Sequence, residues 1–408
     1  MNVSSITSGA VPRPPDIEIG KPAGIKEVAA MPCREWPRVI GTVGPVTGPV
    51  LLCFGAMHGN EPSGALALER LLGKLQRNPA GLRGQLVALV GNRAGLQQKR
   101  RYLVSDFNRH WTRERIARLR AAEEPLEAED RELVELDREI AKVMAGARGK
   151  VHALDLHTTS GEGPAFCILE DSLPNRRFAL NLPATIVVGI EEELIGTISH
   201  FLSEQGVITC GFEAGQHDDP YSVDRAEAAA WIMLEASGVL VPGKRTEVQA
   251  ARDLLRIQTG RLPHFTELRY RHAIQPGDEF RMKPGFRNFD AVAAGQPLAR
   301  DIHGQVGSPL TGLLLMPLYQ AQGQDGFFLV TRVQPIWLTL SAFARHLRLE
   351  KIIHFLPGVK RHPEREGAFL VDTHIARFLA LKVFHLLGYR RVSPLGRLLT
   401  LARRKHDD

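Results

Sequence analysis

Between residues 49 and 237 the sequence keeps switching between two periods. PVLLCFG (49–55), QLVALVGN (85–92), VHALDLH (151–157), AFCIL (165–169), TIVVGI (185–190) and GVITCGFEAG (206–215) are short and apolar, with the lengths of buried strands. Between and after them, the stretch from Pro62 to about Leu75, EAEDRELVELDREIAKVMAG and RAEAAAWIMLEAS repeat apolar residues at helical spacing. Such alternation points to an α/β sheet, largely parallel and covered on both faces. Near residue 260 the pattern changes to short, glycine-punctuated segments poor in helix signals, which predicts a compact β domain. The expected organisation is an N-terminal polar arm over 1–35, an α/β domain over 36–255, a β-rich domain over 256–336 and a helical, basic extension over 337–408.

Charge narrows the function. The net charge of +7 comes from 52 basic against 45 acidic residues, a modest excess that suits acidic small ligands and argues against nucleic acid. No apolar run reaches the roughly 18 residues that a membrane span requires. The N-terminal MNVSSITSGAVPRPPDIEIGKP lacks a charged-then-apolar leader pattern. Cys33, Cys53, Cys167 and Cys210 are scattered, three of them in apolar segments, as reduced thiols of a cytoplasmic protein would be.

The chemistry begins at GAMHGNEPSG (55–64). An apolar strand runs straight into His58 and Glu61, and Pro62 suits the first turn of a helix because it needs no amide donor there. The pair is therefore expected on a turn at the carboxyl end of a strand, where ligands of open α/β sheets collect, with Gly55 and Gly59 easing the bend. Two such side chains can share a cation, but zinc needs a third protein ligand and, for catalysis, an open position. LDLHTTS supplies His157 at another strand end. Asp155, two residues earlier on the same face, is placed to orient a ligating imidazole. Either turn alone is common by chance; two, both closing apolar strands, make a zinc hydrolase site worth expecting. RRYLVSDFNRHW (100–111) adds Arg101, Asp106, Asn108 and Arg109, types that grip a carboxylate, although a solvated basic loop would read the same. In GFEAGQHDD, Glu213 ends a further apolar strand, where a carboxylate can shuttle a proton or simply lead into a helix.

In order and spacing, HGNEPSG, RYLVSDFNR, DLHTTS followed by CILED, and FEAGQHD resemble the succinylglutamate desuccinylase/aspartoacylase family, a branch of the zinc-carboxypeptidase-like hydrolases, over roughly residues 50–235. GQPLARDIHGQVGSPLTGLLLMP is similar to that family's C-terminal β domain. The resemblance implies a zinc-carboxypeptidase-like mixed, largely parallel sheet flanked by helices, with a smaller C-terminal β domain. It implies one zinc ion per chain on His58, Glu61 and His157, with Glu213 as general base and acid acting on metal-bound water. Arg101 would polarise the scissile carbonyl, and Asn108 and Arg109 would hold the carboxylate of a small substrate. The reaction expected is hydrolysis of an N-acyl amino acid or related amide. A peptide-trimming carboxypeptidase, an ester deacylase and a metal-free binding protein on the same fold are the alternatives.

One departure bears on substrate. Where aspartoacylases carry a further arginine before the catalytic glutamate, Ser203 stands here, which counts against N-acetylaspartate. His110, His152 and His200 read as structural or surface residues, as does His217, although it shares a loop with Glu213 and could join its hydrogen-bond network. The segment IARFLALKVFHLLGYRR is amphipathic and is expected to pack as a helix on the β domain. A homo-oligomer is left open.

Overall fold

The structure is a computed structural model describing residues 34–122, 126–347, 355, 357–363, 368–372, 384, 387–395 and 398–403. Its centre is a sheet built on β1 (Val39–Val43), β2 (Val50–Gly55), β3 (Gln85–Val90), β4 (Val151–Thr159), β5 (Phe166–Ile168), β6 (Thr185–Val188), β7 (Ile208–Gln216) and β8 (Phe265–Ala273). The order is β1-β3-β2-β4-β7-β5-β6-β8, continued by Asp325–Arg332, Gly312–Leu315 and Ala291–Val292. The run β3-β2-β4-β7 is parallel, as is β5-β6-β8, and the two are joined by the antiparallel pairing of β5 with β7.

The apolar runs are strands because both faces of this sheet are covered. All six residues of β2 are buried. Its alternate side chains divide between two cores: Leu51 and Cys53 join the helices Ser63–Arg77 and Ser222–Ala236, whereas Val50, Leu52 and Phe54 join Leu133, Leu136 and Ile140 of the helix Ala128–Gly146. Each such Leu or Phe contributes roughly 1.5–3 kcal/mol of burial. The helix Ser63–Arg77 turns Leu68, Leu71, Leu72 and Leu75 inward at i, i+3, i+4 and i+7, with Pro62 at its N-cap.

The turn between β2 and that helix is tight for a reason other than glycine flexibility. Neither Gly55 nor Gly59 has a left-handed φ; the positive φ falls on Ala56, at 54°. Glycine is required by close approach. A Cβ on Gly55 would lie 2.4 Å from the Ala65 nitrogen, and one on Gly59 would lie 2.0 Å from the Gly95 carbonyl carbon.

Two expectations differ from the structure. The segment expected to form a separate β domain supplies strands to the central sheet itself: Asp325–Arg332 pairs antiparallel with β8, which pairs parallel with β6. Only Arg281–Met282, Pro297–Asp301 and Gly304–Gly307 form a detached three-stranded sheet. The basic extension is also not wholly helical. After the helix Pro335–His346 come Val359–Arg361, Ala368–Asp372, Tyr389–Leu395 and Leu398–Arg403, an antiparallel four-stranded sheet. LLTLAR reads equally well with period 2, and its Leu399 and Leu401 join the sheet's apolar core. Most of IARFLALKVFHLLGYRR lies outside the described residues.

Candidate active site

His58, Glu61 and His157 come together although 96 residues separate Glu61 from His157. One ligand atom from each lies within 4.8 Å of the others, and they are the cluster of metal-ligating type found among the described residues. The parallel pairing of β2 with β4 sets the turn carrying His58 and Glu61 beside the end of β4, which carries His157. The Nδ1 atoms of His58 and His157 face the two oxygens of Glu61, at 2.9 and 3.0 Å. Their Nε2 atoms are each held by a carboxylate: Asp106 at 3.2 Å for His58 and Asp155 at 2.8 Å for His157. A ring that donates Nε2–H to its carboxylate offers the Nδ1 lone pair to a cation. Two imidazoles and a carboxylate, nearly dry and with both outer partners in place, fit a divalent ion such as zinc.

The electrostatics agree. Burial of Glu61 opposes its ionisation, yet the charge of His58 and hydrogen bonds with both imidazoles hold its carboxyl well below the usual range. Burial likewise opposes charge on Asp106, and Arg101 and His58 more than offset it. Burial disfavours the charged form of His157, but Asp155 holds its pKa well above the ordinary imidazole value. Glu213 goes the other way. Burial pushes its carboxyl up to about 8, with Glu61 and Asp155 adding to the rise and His157 and Arg101 opposing it. Glu213 is the register partner of His157 on the neighbouring strand, and its Oε2 is buried with no hydrogen-bond partner among the described residues. Interacting carboxylates with pKa values driven in opposite directions mark acid–base sites.

The loop expected to bind substrate differs in detail from a loop after a strand. It follows a short helix, Arg93–Gln97, and contains a single turn, Phe107–Arg109, capped by Asp106. Arg101 meets the cluster directly, at 2.9 Å from His58 Nε2, 3.3 Å from Glu61 Oε1 and 3.1 Å from Asp106 Oδ2. Asn108 commits its Oδ1 to the backbone N–H of Ile198 at 2.9 Å, which leaves its amide as the group free to face the cavity. Arg109 donates to its neighbour's carbonyl at 2.9 Å and approaches Asp325 at 3.4 Å. His58, Glu61, Arg101, Asn108, Arg109, Asp155, His157 and Glu213 all line one cavity. Ser203 is buried and is not among its lining residues.

Several participants were not picked out from the sequence. Asp106 was noted without its role on His58, and nothing local marks Asp325 or Gln320. His217 does join a network: its Nδ1 meets Thr158 Oγ1 at 2.7 Å and its Nε2 meets Gln320 Oε1 at 3.0 Å. Burial lowers its pKa, so the neutral ring is favoured. His200, read as structural or surface, also lines the cavity, 3.4 Å from Glu170.

Comparison with known proteins follows the same lines. Residues 47–236 match the family described as the succinylglutamate desuccinylase/aspartoacylase catalytic domain. A succinylglutamate desuccinylase of Serratia proteamaculans (strain 568) is 26% identical over 261 residues, covering 57% of this chain and 76% of that protein. A succinylglutamate desuccinylase/aspartoacylase structure from Rhodobacter sphaeroides shares the fold with a TM-score of 0.52 at 16% identity, over 72% of this chain and 88% of that one. The ectoine utilization protein EutE (DoeB) of Ruegeria pomeroyi, in a product-bound structure, gives 0.51 at 16% identity over 71% and 87%. Over residues 47–236, just under half of its length, the chain is similar to the succinylglutamate desuccinylase/aspartoacylase family.

Proposed function

We propose that the protein is a zinc-dependent deacylase that hydrolyses the amide bond of an N-acyl amino acid. The observation that carries this reading is the pairing of two imidazole Nδ1 atoms with the two oxygens of Glu61, each ring braced from behind by Asp106 or Asp155. His58, Glu61 and His157 would hold the ion, which when bound supplies Lewis acidity, acidifying water, polarising a carbonyl and favouring the ionised form of Glu213. Glu213, beside His157, is placed to take a proton from the attacking water and return it to the departing nitrogen. Arg101 is placed to stabilise charge developing on the carbonyl oxygen. Arg109 and the Asn108 amide line the same cavity and would hold the substrate carboxylate.

Residues from 168–200 and from 316–328 wall the same cavity, an arrangement that suits a small molecule better than a peptide threaded through. Retention of His58, Glu61, His157 and Glu213 argues against a metal-free binding protein. Free buried thiols at Cys53, Cys167 and Cys210 favour a cytoplasmic setting. The test is a hydrolysis screen over N-acyl amino acids, matched esters and short peptides with zinc-loaded protein. Release of free amino acid from the N-acyl substrates is expected; turnover of peptides alone would reassign the enzyme as a carboxypeptidase.

A further inference from the structure

We infer that the helix Pro335–His346 docks on anionic phospholipid, laying its outer face on a bilayer without crossing it. The inference is independent of the reaction and concerns where the enzyme sits.

The helix is packed inside out. Its inward side carries small and polar residues: Ser341, Ala344 and Arg345 are buried, with Arg345 held by Asp171 at 3.1 Å and Ser341 lying 3.3 Å from Arg176. Its outward side carries the large apolar ones. Ile336, Leu340, Phe343 and, at the C-cap, Leu347 are spaced i, i+4, i+7 and i+11, which makes one stripe on a helix. All four are exposed, Ile336 by 71% and Phe343 by 58%. Trp337 flanks the stripe and is 53% exposed, whereas Trp36, Trp111 and Trp231 are buried. Exposed apolar side chains are ordinary when single. Five together approach the largest apolar patches of soluble monomers, about 300–600 Å², which mark interaction sites.

Charge selects the occupant. Residues 337–408 hold 14 Lys and Arg against 6 Asp and Glu, whereas residues 1–336 hold 38 against 39, so the chain's net charge resides in this extension. The helix itself has no acidic residue. Exposed Lys360 and Arg361 lie on the edge strand of the sheet against which Ala344 packs. Two copies meeting through this face would each bring that positive excess, and repulsion would oppose the pairing. An anionic bilayer does the reverse. Its headgroups neutralise the basic residues while the apolar stripe and Trp337 enter the boundary between headgroups and acyl chains. Nucleic acid would satisfy the charge but leave the stripe in water. At 12 residues the helix is about 18 Å long, short of the roughly 30 Å bilayer core, so the contact is peripheral.

The test mixes the full chain with vesicles of phosphatidylcholine alone, or of three parts phosphatidylcholine to one part phosphatidylglycerol, and follows co-sedimentation and tryptophan emission. Binding to the anionic vesicles is expected, at least about tenfold tighter than to the neutral ones and weakened by salt. Because Trp337 is the exposed tryptophan, emission should shift to shorter wavelength on binding, and Trp337→Phe should bind as well without the shift. Phe343→Glu should lose about tenfold or more of the vesicle affinity with its circular dichroism unchanged. Ile257→Glu, which alters an exposed apolar residue on another helix, should bind as wild type does. Equal binding to both vesicle types, or undiminished binding by Phe343→Glu, overturns the inference. So does absence of vesicle binding: a dimer broken by Phe343→Glu would then assign the face to a second copy, retention on DNA to a polyanion, and a monomer binding neither to another segment of this chain.

Discussion

His157 and Glu213 sit opposite one another on adjacent strands, yet their environments treat them differently: a carboxylate braces the imidazole, while burial alone dominates the glutamate. The consequence is measurable in metal-free protein. Glu213 binds its proton more tightly folded (about 8) than at its ordinary value of 4.5, so its contribution lowers stability as pH rises between those values. Glutamine cannot ionise. Chelator-treated Glu213→Gln should therefore gain stability relative to wild type as pH goes from 5 to 8, read by denaturant unfolding at each pH; a constant difference would show that Glu213 is not buried as a neutral acid. At this scale the sequence showed the candidate ligands and their spacing. It did not show that Asp106 braces His58 across 48 residues, or that Gln320 meets His217 across 103, because such contacts are made by tertiary packing and leave no local pattern.

The strand-to-helix turn after β2 is the element on which the site depends. Its backbone passes so close to the segment Gly95–Arg100 that a side chain at Gly59 has no room: besides the Gly95 carbon, a Cβ would meet Leu96 N at 2.3 Å and Arg100 O at 2.4 Å. All three are backbone atoms, which cannot swing aside. Gly59→Ala should displace the His58–Glu61 turn and lower zinc affinity by tenfold or more, about 1.4 kcal/mol, whereas Gly73→Ala, which meets only the end of Arg77, should leave it unchanged. Equal zinc binding by the two variants would contradict this account of the turn. β2 and β3 were legible because strands covered on both faces are nearly continuous apolar runs, and β4 and β7 because their apolar runs end on polar residues at the site. LLTLAR was not, since so short an apolar run satisfies a strand and a helix equally.

At the scale of the whole molecule, the boundary near residue 256 marks a change in composition but not in hydrogen bonding. β8, just beyond it, pairs with β6 on one edge and with Asp325–Arg332 on the other, and Gly312–Leu315 pairs in turn with Asp325–Arg332, which brings Asp325 and Met316 to the cavity wall. Sequence patterns report the faces of a strand, not its neighbours, so this continuity was not readable. The helix Pro335–His346 is tied back to the catalytic domain by charge: Arg345 donates to the Asp171 carbonyl and side chain, both at 3.1 Å, and Arg176 grips the same carboxylate. Removing that carboxylate takes from two buried guanidinium groups the anion they share. Asp171→Ala should cost about 3 kcal/mol or more in unfolding free energy and make the helix susceptible to limited proteolysis, while Arg345→Met should cost less. Wild-type stability in Asp171→Ala would mean the helix docks without this ion pair.

The central claim is that His58, Glu61 and His157 converge on one divalent ion. Calorimetric titration of zinc into chelator-treated protein tests it most directly, with His157→Ala alongside. One ion per chain bound by wild type, and at least a hundredfold weaker binding by the variant, is the result predicted; no stoichiometric zinc on wild type, or equal binding by both, would contradict it.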